Sequence, residues 1–251
     1  RDLVSWTFRK APGFFDVVTW SGDSTTGRQI SHSLGSTPGM IIIKCTTSDN
    51  TNWWVWHRSA GQYEAKLNAT STFGWATITS ASATTFTITY GNVETNQSGN
   101  NYVAYLFGHD DQSFGTDSDE AIIKCGSYTG NGNTGANGPS VDLGFEPQWL
   151  LTKRTDNTGD WALFDSMRGI GTIGVNDKFL ATNTDNAEST GDRVAVYGTG
   201  FQITTSSGFV NGNGSTYIYM AIRRPHKPPT AGTEVFAVNT RNGNETAGTL
   251  S

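Results

Sequence analysis

Two stretches decide the fold: FDVVTWSGDSTTGRQISHSLGSTPGMIIIKCTTSDNTNWWVWHR at residues 15–58 and IKCGSYTGNGNTGANGPSVDLGFEPQWLLTKRTDNTGDWALFDSMR at residues 123–168. In order, they share an aromatic-x-Gly turn (Trp20 to Gly22, Tyr128 to Gly130), a Leu-Gly-x-x-Pro segment (Leu34 to Pro38, Leu143 to Pro147), an apolar run ending in Lys (Met40 to Lys44, Trp149 to Lys153) and a strand that begins with Trp (Trp53, Trp161). Two later segments also match, 85–89 with 200–204 and 102–107 with 217–222. These ordered matches indicate an internal duplication.

Each copy has about 100 residues, the usual size of a β-sandwich. Turn-forming Gly, Asn, Asp and Ser separate short apolar runs. In the first copy they predict seven strands, near 15–20, 29–34, 40–45, 53–58, 64–68, 85–90 and 102–107. A short helical turn is expected within 178–188. We therefore predict an all-β protein with two tandem β-sandwich modules of jelly-roll or lectin-like type. Its segments are an N-terminal connector (1–14), the first repeat (15–108), an acidic linker (109–120), the second repeat (121–225) and a C-terminal extension rich in Pro, Gly and Asn (226–251).

Composition supports this fold class and excludes some partners. Charged residues are 16% of the chain, while Thr and Gly contribute 36 and 30 residues. Thr suits a half-exposed pleated surface and Gly suits tight turns. The net charge of −5 disfavours long-range attraction to nucleic acid, so we expect no nucleic-acid partner. No run approaches the length of a membrane span, so we expect no membrane insertion.

Alternation along the strands predicts which side chains face a core. In the first Trp strand, Trp53 and Val55 have large apolar counterparts in the second copy, as a core face should. In the last strand of the first copy, the same comparison selects Val103, Tyr105 and Phe107.

Residues that could carry chemistry are scattered. His57 is replaced by Asp165 in the second copy, which is typical of a solvated strand end. Acidic side chains of the linker could bind calcium, although their spacing differs from that of a calcium-binding loop; they are Asp110, Asp111, Asp117, Asp119 and Glu120. Buried free thiols are favoured over a disulfide for Cys45 and Cys125. We therefore predict no catalytic residues, metal site or cofactor.

The aromatic residues give the clearest candidate site. Trp54 and Trp56 lie on the face whose bulk is not fully repeated, and Tyr63 and Trp75 are near in sequence. Exposed rings of this kind stack on sugars or fill protein interfaces. The alternative is that Trp54 and Trp56 cover one side of a sheet, against the sister module or a neighbouring subunit.

The segments 5–20, 30–44, 102–107, 122–132, 141–151 and 217–237 resemble a tandem-repeat family of marine phage and cyanophage virion proteins, often labelled tail fibre or tail appendage proteins. The resemblance covers nearly the whole chain. It implies a location in the virion, contact with other virion proteins and with a host-surface glycan or protein, and a homo-oligomer, with a trimer favoured. The family offers no established catalytic residues to carry over.

Three functions remain open at this point. The leading prediction is a non-enzymatic virion structural protein that contributes to host attachment. A free-standing, lectin-like carbohydrate-binding module is the alternative. A polysaccharide depolymerase comes third, and it would need two carboxyl groups roughly 5–10 Å apart.

Overall fold

A computed structural model describes residues 5–89, 92–115 and 117–224. Within this part of the chain the regular structure is antiparallel sheet, with short 3-10 turns at 58–60 and 135–137 and no α-helix. The strands of the first repeat are β1 Phe15–Ser21, β2 Arg28–Ser31, β3 Met40–Cys45, β4 Trp53–His57, β5 Glu64–Lys66, β6 Ile78–Ala81, β7 Thr85–Ile88 and β8 Asn101–Phe107. The predicted all-β class is confirmed. No helix in the described ranges has the length and apolar character needed to cross a bilayer.

The second repeat contains nine strands. They are β9 Ile123–Thr129, β10 Ser140–Asp142, β11 Pro147–Arg154, β12 Trp161–Asp165, β13 Asp177–Ala181, β14 Ser189–Gly191, β15 Val194–Tyr197, β16 Gly200–Ile203 and β17 Thr216–Arg223. The strand β13 replaces the helical turn predicted within 178–188, which was wrong. Its Phe179 pairs with Phe164 of β12 and both rings are buried, so packing on the sheet outweighs local preference.

The two repeats share one strand order. In the first, the large sheet runs β1-β8-β3-β4-β5 and the small sheet β2-β7-β6. In the second, the large sheet runs β9-β17-β11-β12-β13-β14 and the small sheet β10-β16-β15. Each strand thus has a counterpart at the same place, and only β14 is additional.

Three apolar cores hold these sheets together. A first-repeat core lies between β1-β8-β3-β4-β5 and its small sheet, and includes Leu34 and Phe86. A second-repeat core lies at the matching place and includes Leu143 and Phe201. A central core joins the two large sheets; its members are Phe15, Met40, Ile42, Val55, Ala65, Phe107, Ile123, Cys125, Trp149, Leu151, Trp161, Leu163, Ile218, Met220 and Ile222. The sheets therefore stack as small, large, large, small.

This stacking corrects the predicted distinction between core and surface faces. The large sheets are inner layers, so both of their faces are covered. In β8 the face with Tyr102, Ala104 and Leu106 is buried. Of the predicted core residues, Phe107 is buried in the central core, and Val103 and Tyr105 are partly buried. The alternation test assumed one solvated face, as in a sheet that borders water.

The aromatic-x-Gly motif is explained by a close approach of two backbones. A Cβ atom on Gly22 would lie 2.0 Å from the carbonyl oxygen of Gln97, and one on Gly130 would lie 2.3 Å from that of Gly212. Only glycine leaves room for this contact. The aromatic residue that opens each motif stacks on a tyrosine of the neighbouring strand, Trp20 on Tyr102 at 5.4 Å and Tyr128 on Tyr217 at 5.1 Å between ring centroids.

The segments that flank the repeats pack on them. Phe8 of the N-terminal connector lies 5.4 Å from Phe107 and 6.3 Å from Trp149 between ring centroids. In the acidic linker, Asp110 pairs with Lys124 at 3.0 Å. The predicted C-terminal extension, 226–251, lies outside the described residues.

Candidate functional site

Two of the predicted aromatic residues belong to the first-repeat core. Trp54 and Trp56 are 6% and 8% exposed and pack among the side chains between the large and small sheets of their own repeat. Their register explains this position, because Trp54 and Trp56 are two positions apart on β4 and share a face with Ile41 and Ile43 of β3. Both rings thus cover the large sheet on the side of its own small sheet, and of the four predicted aromatic residues Tyr63 and Trp75 are the exposed ones.

Tyr63 and Trp75 are exposed, at 55% and 40%. The structure brings Trp75 against Trp54, edge to face at 5.2 Å between centroids. Lys66 Nζ lies 4.8 Å from the Trp75 ring centroid, within reach of a cation–π interaction. The patch beside β5 therefore combines the Trp75 indole with the positive charge of Lys66, and Trp54 packs beneath Trp75.

A buried carboxylate next to this patch connects the two sheets of the first repeat. Glu64 is 1% exposed and accepts hydrogen bonds from the backbone N–H of Thr77, at 2.9 Å, and of Ile78. Burial raises the pKa of Glu64 to about 7, although these N–H donors act in the opposite direction. The carboxyl group thus holds the start of β6, a strand that the sequence did not predict.

The second repeat uses Asp177 in the same way. Its carboxylate accepts from the backbone N–H of Val194 at 2.9 Å, of Arg193 at 3.0 Å and of Gly171 at 3.1 Å, and burial raises its pKa. Val194 begins β15, the counterpart of β6. A structural role repeated in both copies accounts for both carboxylates. Sequence comparison missed the two carboxylates because Glu64 and Asp177 lie at non-equivalent positions in their hairpins, and because their side chains differ in length.

The interpretation of His57 as a solvated strand end was wrong. His57 is fully buried, its Nε2 lies 3.0 Å from the carbonyl oxygen of Tyr219, and its Nδ1 accepts from the N–H of Ser59. Burial lowers the pKa of His57 to about 3. Its counterpart Asp165 is 2% exposed and accepts from the N–H of Arg168. Both side chains close the turn after the Trp strand, and His57 also joins the repeats.

The repeated lysine serves a structural contact as well. Lys44 Nζ donates to the hydroxyl of Thr51 at 2.8 Å, across the turn between β3 and β4. Lys153 Nζ donates to the carbonyl oxygens of Gly159 at 2.6 Å and of Thr70 in the other repeat at 3.2 Å. Burial lowers the pKa of Lys153 to about 8.

The remaining candidate groups are dispersed or paired. Among the residues that the structure describes, no three His, Cys, Asp or Glu side chains are grouped as metal ligands, and this includes the described acids of the linker. Glu120 is paired with Arg223 and Asp110 with Lys124. Cys45 and Cys125 are buried free thiols in different cores. Burial raises the pKa of Cys125, which disfavours the reactive thiolate.

The structure also shows a cavity that sequence reasoning missed. This corner pocket, of about 240 Å³, lies where the N-terminal connector crosses the second repeat; its wall includes Trp6, Phe8, Phe14, Gln148, Trp149 and Asp165. Trp6 is 37% exposed at its rim. The aromatic pair of the segment SWTFRK at 5–10 was the available signal, but no strand pattern related it to the second repeat.

Comparison with known proteins gives one match. A family model described as "Domain of unknown function (DUF7483)" matches residues 7–225. It begins within the N-terminal connector and ends at the close of the second repeat, so a single model covers both copies. No curated protein and no solved structure matches the chain.

Proposed function

The chain belongs to the DUF7483 family, and from this starting point we propose that it is a non-enzymatic structural component of a phage virion. Its place is a tail fibre or a related appendage, outside the host cell, where it contributes to attachment to the host surface. The phage assignment rests on the sequence resemblance described above, and the architecture supports a load-bearing role.

The observation that carries the structural role is the central core. The two large sheets bury one face each against the other, and hydrogen bonds cross between the repeats. The indole N–H of Trp161 donates to the carbonyl oxygen of Lys66 at 2.9 Å. The backbone N–H of Gly159 donates to the carbonyl oxygen of Thr70, also at 2.9 Å. A pair of repeats fused in this way transmits force without a hinge between them, which suits an appendage that must hold its orientation during adsorption.

Several finer features belong to this proposal. Each repeat is a β-sandwich of jelly-roll or lectin-like type, with the boundaries predicted from the sequence. The protein assembles as a homo-oligomer, with a trimer favoured, and contacts other virion proteins. Its host ligand is a surface glycan or protein. The edge of the second large sheet at β14 and the exposed Tyr63 supply surface for these contacts.

A free-standing carbohydrate-binding module is the second candidate, favoured by the exposed Trp75 at the edge of the first repeat. An indole can stack on the C–H face of a sugar ring. The two functions differ in oligomeric state. Light scattering of the purified chain should give a trimer for the appendage protein and a monomer for the module.

Immunogold electron microscopy tests the virion location. Antibodies raised against the chain are applied to purified particles of a phage whose genome encodes it. Gold on tail appendages is the expected result, and the same antibodies should block adsorption of the phage to its host. Pre-immune serum is the control. Label found only in the lysate, with none on particles, would overturn the proposal.

Binding of the fluorescently labelled chain to intact marine bacterial cells tests attachment separately. The folded chain should bind host cells above the level of the heat-unfolded chain. A Tyr63→Ala/Trp75→Ala variant shows whether the exposed aromatic residues of the first repeat take part. A folded chain that binds no cells in a broad panel would leave a structural connector without an attachment role.

A further inference from the structure

The corner pocket lies at a corner of the second repeat. The equivalent corner of the first repeat is filled by packing against the second repeat. In each repeat, the residue that follows the Trp strand donates its backbone N–H to a carbonyl oxygen near the start of the preceding strand. Arg58 donates to Gly39 at 3.0 Å, and Ser166 donates to Gln148 at 2.9 Å. In the first repeat a Cβ atom on Gly39 would lie 2.6 Å from Sγ of Cys125, so the second repeat closes this corner. In the second repeat Gln148 replaces the glycine, and a cavity remains.

Aromatic rings form the walls of this cavity. Phe8 and Trp149 meet edge to face, with 6.3 Å between centroids at 87°. Phe8 in turn packs 6.5 Å from Phe14. Trp6 lies at the rim with part of its ring open to solvent. The pocket therefore offers flat apolar surfaces from two segments that are far apart in sequence.

The pocket wall offers a polar group in the side-chain amide of Gln148. Gln148 is partly buried in the wall, and its amide can donate and accept hydrogen bonds. Trp149 contributes its ring, because the residue is 9% exposed and its Nε1–H is buried out of reach of a ligand in the pocket.

The charges beside the pocket cancel. Asp165 Oδ2 and Arg168 Nη2 lie 2.6 Å apart, with side chains that are 3% and 6% exposed. The guanidinium of Arg168 lies 4.9 Å from the centroid of the Trp6 ring. A cationic ligand on Trp6 would meet this positive charge, and an anionic ligand would meet the carboxylate of Asp165. The site therefore favours a neutral ligand.

We propose that the corner pocket binds a single neutral sugar ring. A pyranose presents C–H faces to aromatic walls and hydroxyl groups to the Gln148 amide, which is the combination found here. The volume of about 240 Å³ lies below the range of roughly 300–1,000 Å³ typical of sites for drug-sized ligands, so one ring is bound rather than an oligosaccharide. The inference deepens the attachment part of the proposed function and rests on it for its biological role.

Saturation-transfer difference NMR of the full chain tests the pocket directly. The probes are free glucose, galactose, mannose, fucose and N-acetylglucosamine, all neutral. At least one should receive saturation, strongest at the C–H protons of one ring face. Trp6→Ala should weaken its binding roughly tenfold by removing a stacking surface. Gln148→Leu, which keeps a side chain of similar size but removes the amide, should weaken it about fivefold, the effect of one neutral hydrogen bond.

Tyr197→Ala is the matched control, because Tyr197 is 36% exposed, like Trp6 at 37%, and lies outside the pocket, so this change should leave sugar binding unchanged. Circular dichroism and melting curves show whether each variant is folded. Trp6 at the rim allows a test even if Gln148→Leu proves unstable. The inference is overturned if no sugar receives saturation, or if binding is the same in wild type, Trp6→Ala and Gln148→Leu.

Cell binding by the same variants separates the two proposals. If the wild type and the pocket variants bind cells equally and no sugar receives saturation, attachment stands and the pocket inference fails. If the chain binds a monosaccharide through the pocket but binds no cells, the pocket stands and the attachment proposal fails.

Discussion

At the scale of single residues, the glycines of the aromatic-x-Gly turns make the most constrained contacts. We expect Gly130→Ala to destabilise the protein by about 1–3 kcal/mol, because its new methyl group would overlap the carbonyl oxygen of Gly212. Gly22→Ala should act likewise against Gln97. Urea denaturation at constant pH gives the free energies of unfolding.

Gly198→Ala is the control, because no atom lies within 4 Å of the position of its Cβ. This variant should stay within about 0.5 kcal/mol of wild type, as surface substitutions usually do. Equal losses for Gly198→Ala and Gly130→Ala would show that alanine at any such turn is harmful and that the close approach is irrelevant.

Glu64 makes the stability depend on pH. Its pKa of about 7 in the folded state exceeds its ordinary value of 4.5, so the folded protein holds a proton that the unfolded chain releases. The contribution is most favourable below pH 4.5 and is lost as the pH rises to 7 and above. The difference of about 2.5 pKa units corresponds to roughly 3 kcal/mol.

Glu64→Gln cannot titrate and isolates this effect from those of other groups. The free energy of unfolding of wild type relative to Glu64→Gln should fall by a few kcal/mol between pH 4.5 and pH 7.5. Other groups, such as His57, cancel in this difference. A difference that does not change with pH would mean that Glu64 is ionised throughout this range in the folded protein.

At the scale of elements, the sequence predicted strands well and the environment of their faces poorly. Each of the seven predicted strands of the first repeat corresponds to an observed one, because Gly, Asn and Asp separate apolar runs. β6 was missed because its sequence, ITSA, is short and polar, and the backbone of Ile78 is held by the distant Glu64. Alternation identifies two faces but cannot show that a second sheet covers each of them.

The same limit applies to the candidate site. The sequence comparison identified Trp54 and Trp56 by their missing counterparts, yet their burial depends on a small sheet that no local pattern places there. The corner pocket could not be predicted either, since it joins Trp6 to Trp149 across about half of the chain.

The equivalent tryptophans Trp53 and Trp161 allow a prediction about the Trp strands. Trp161 is 1% exposed and donates its indole N–H to the carbonyl oxygen of Lys66 at 2.9 Å, whereas Trp53 is partly exposed. Trp161→Phe should cost about 1–3 kcal/mol because it removes this hydrogen bond and leaves a small cavity. Trp53→Phe should cost clearly less by the same denaturation assay. The opposite ranking would argue against the cross-repeat bond.

At the scale of the whole molecule, the central core determines how the chain unfolds. Each large sheet would expose an apolar face without the other, so neither repeat forms a complete folding unit in this arrangement. Scanning calorimetry should therefore show one transition, with equal calorimetric and van't Hoff enthalpies.

Met220→Ala tests this coupling, because Met220 is 2% exposed in the central core and comes from the second repeat. The truncation should destabilise the protein by about 2–5 kcal/mol and lower one common transition temperature. Leu34→Ala, in the first-repeat core, provides the comparison from the other side and should lower that same transition. If either variant instead separates the trace into two transitions, the repeats fold independently, and the rigid pair on which the appendage role depends does not exist.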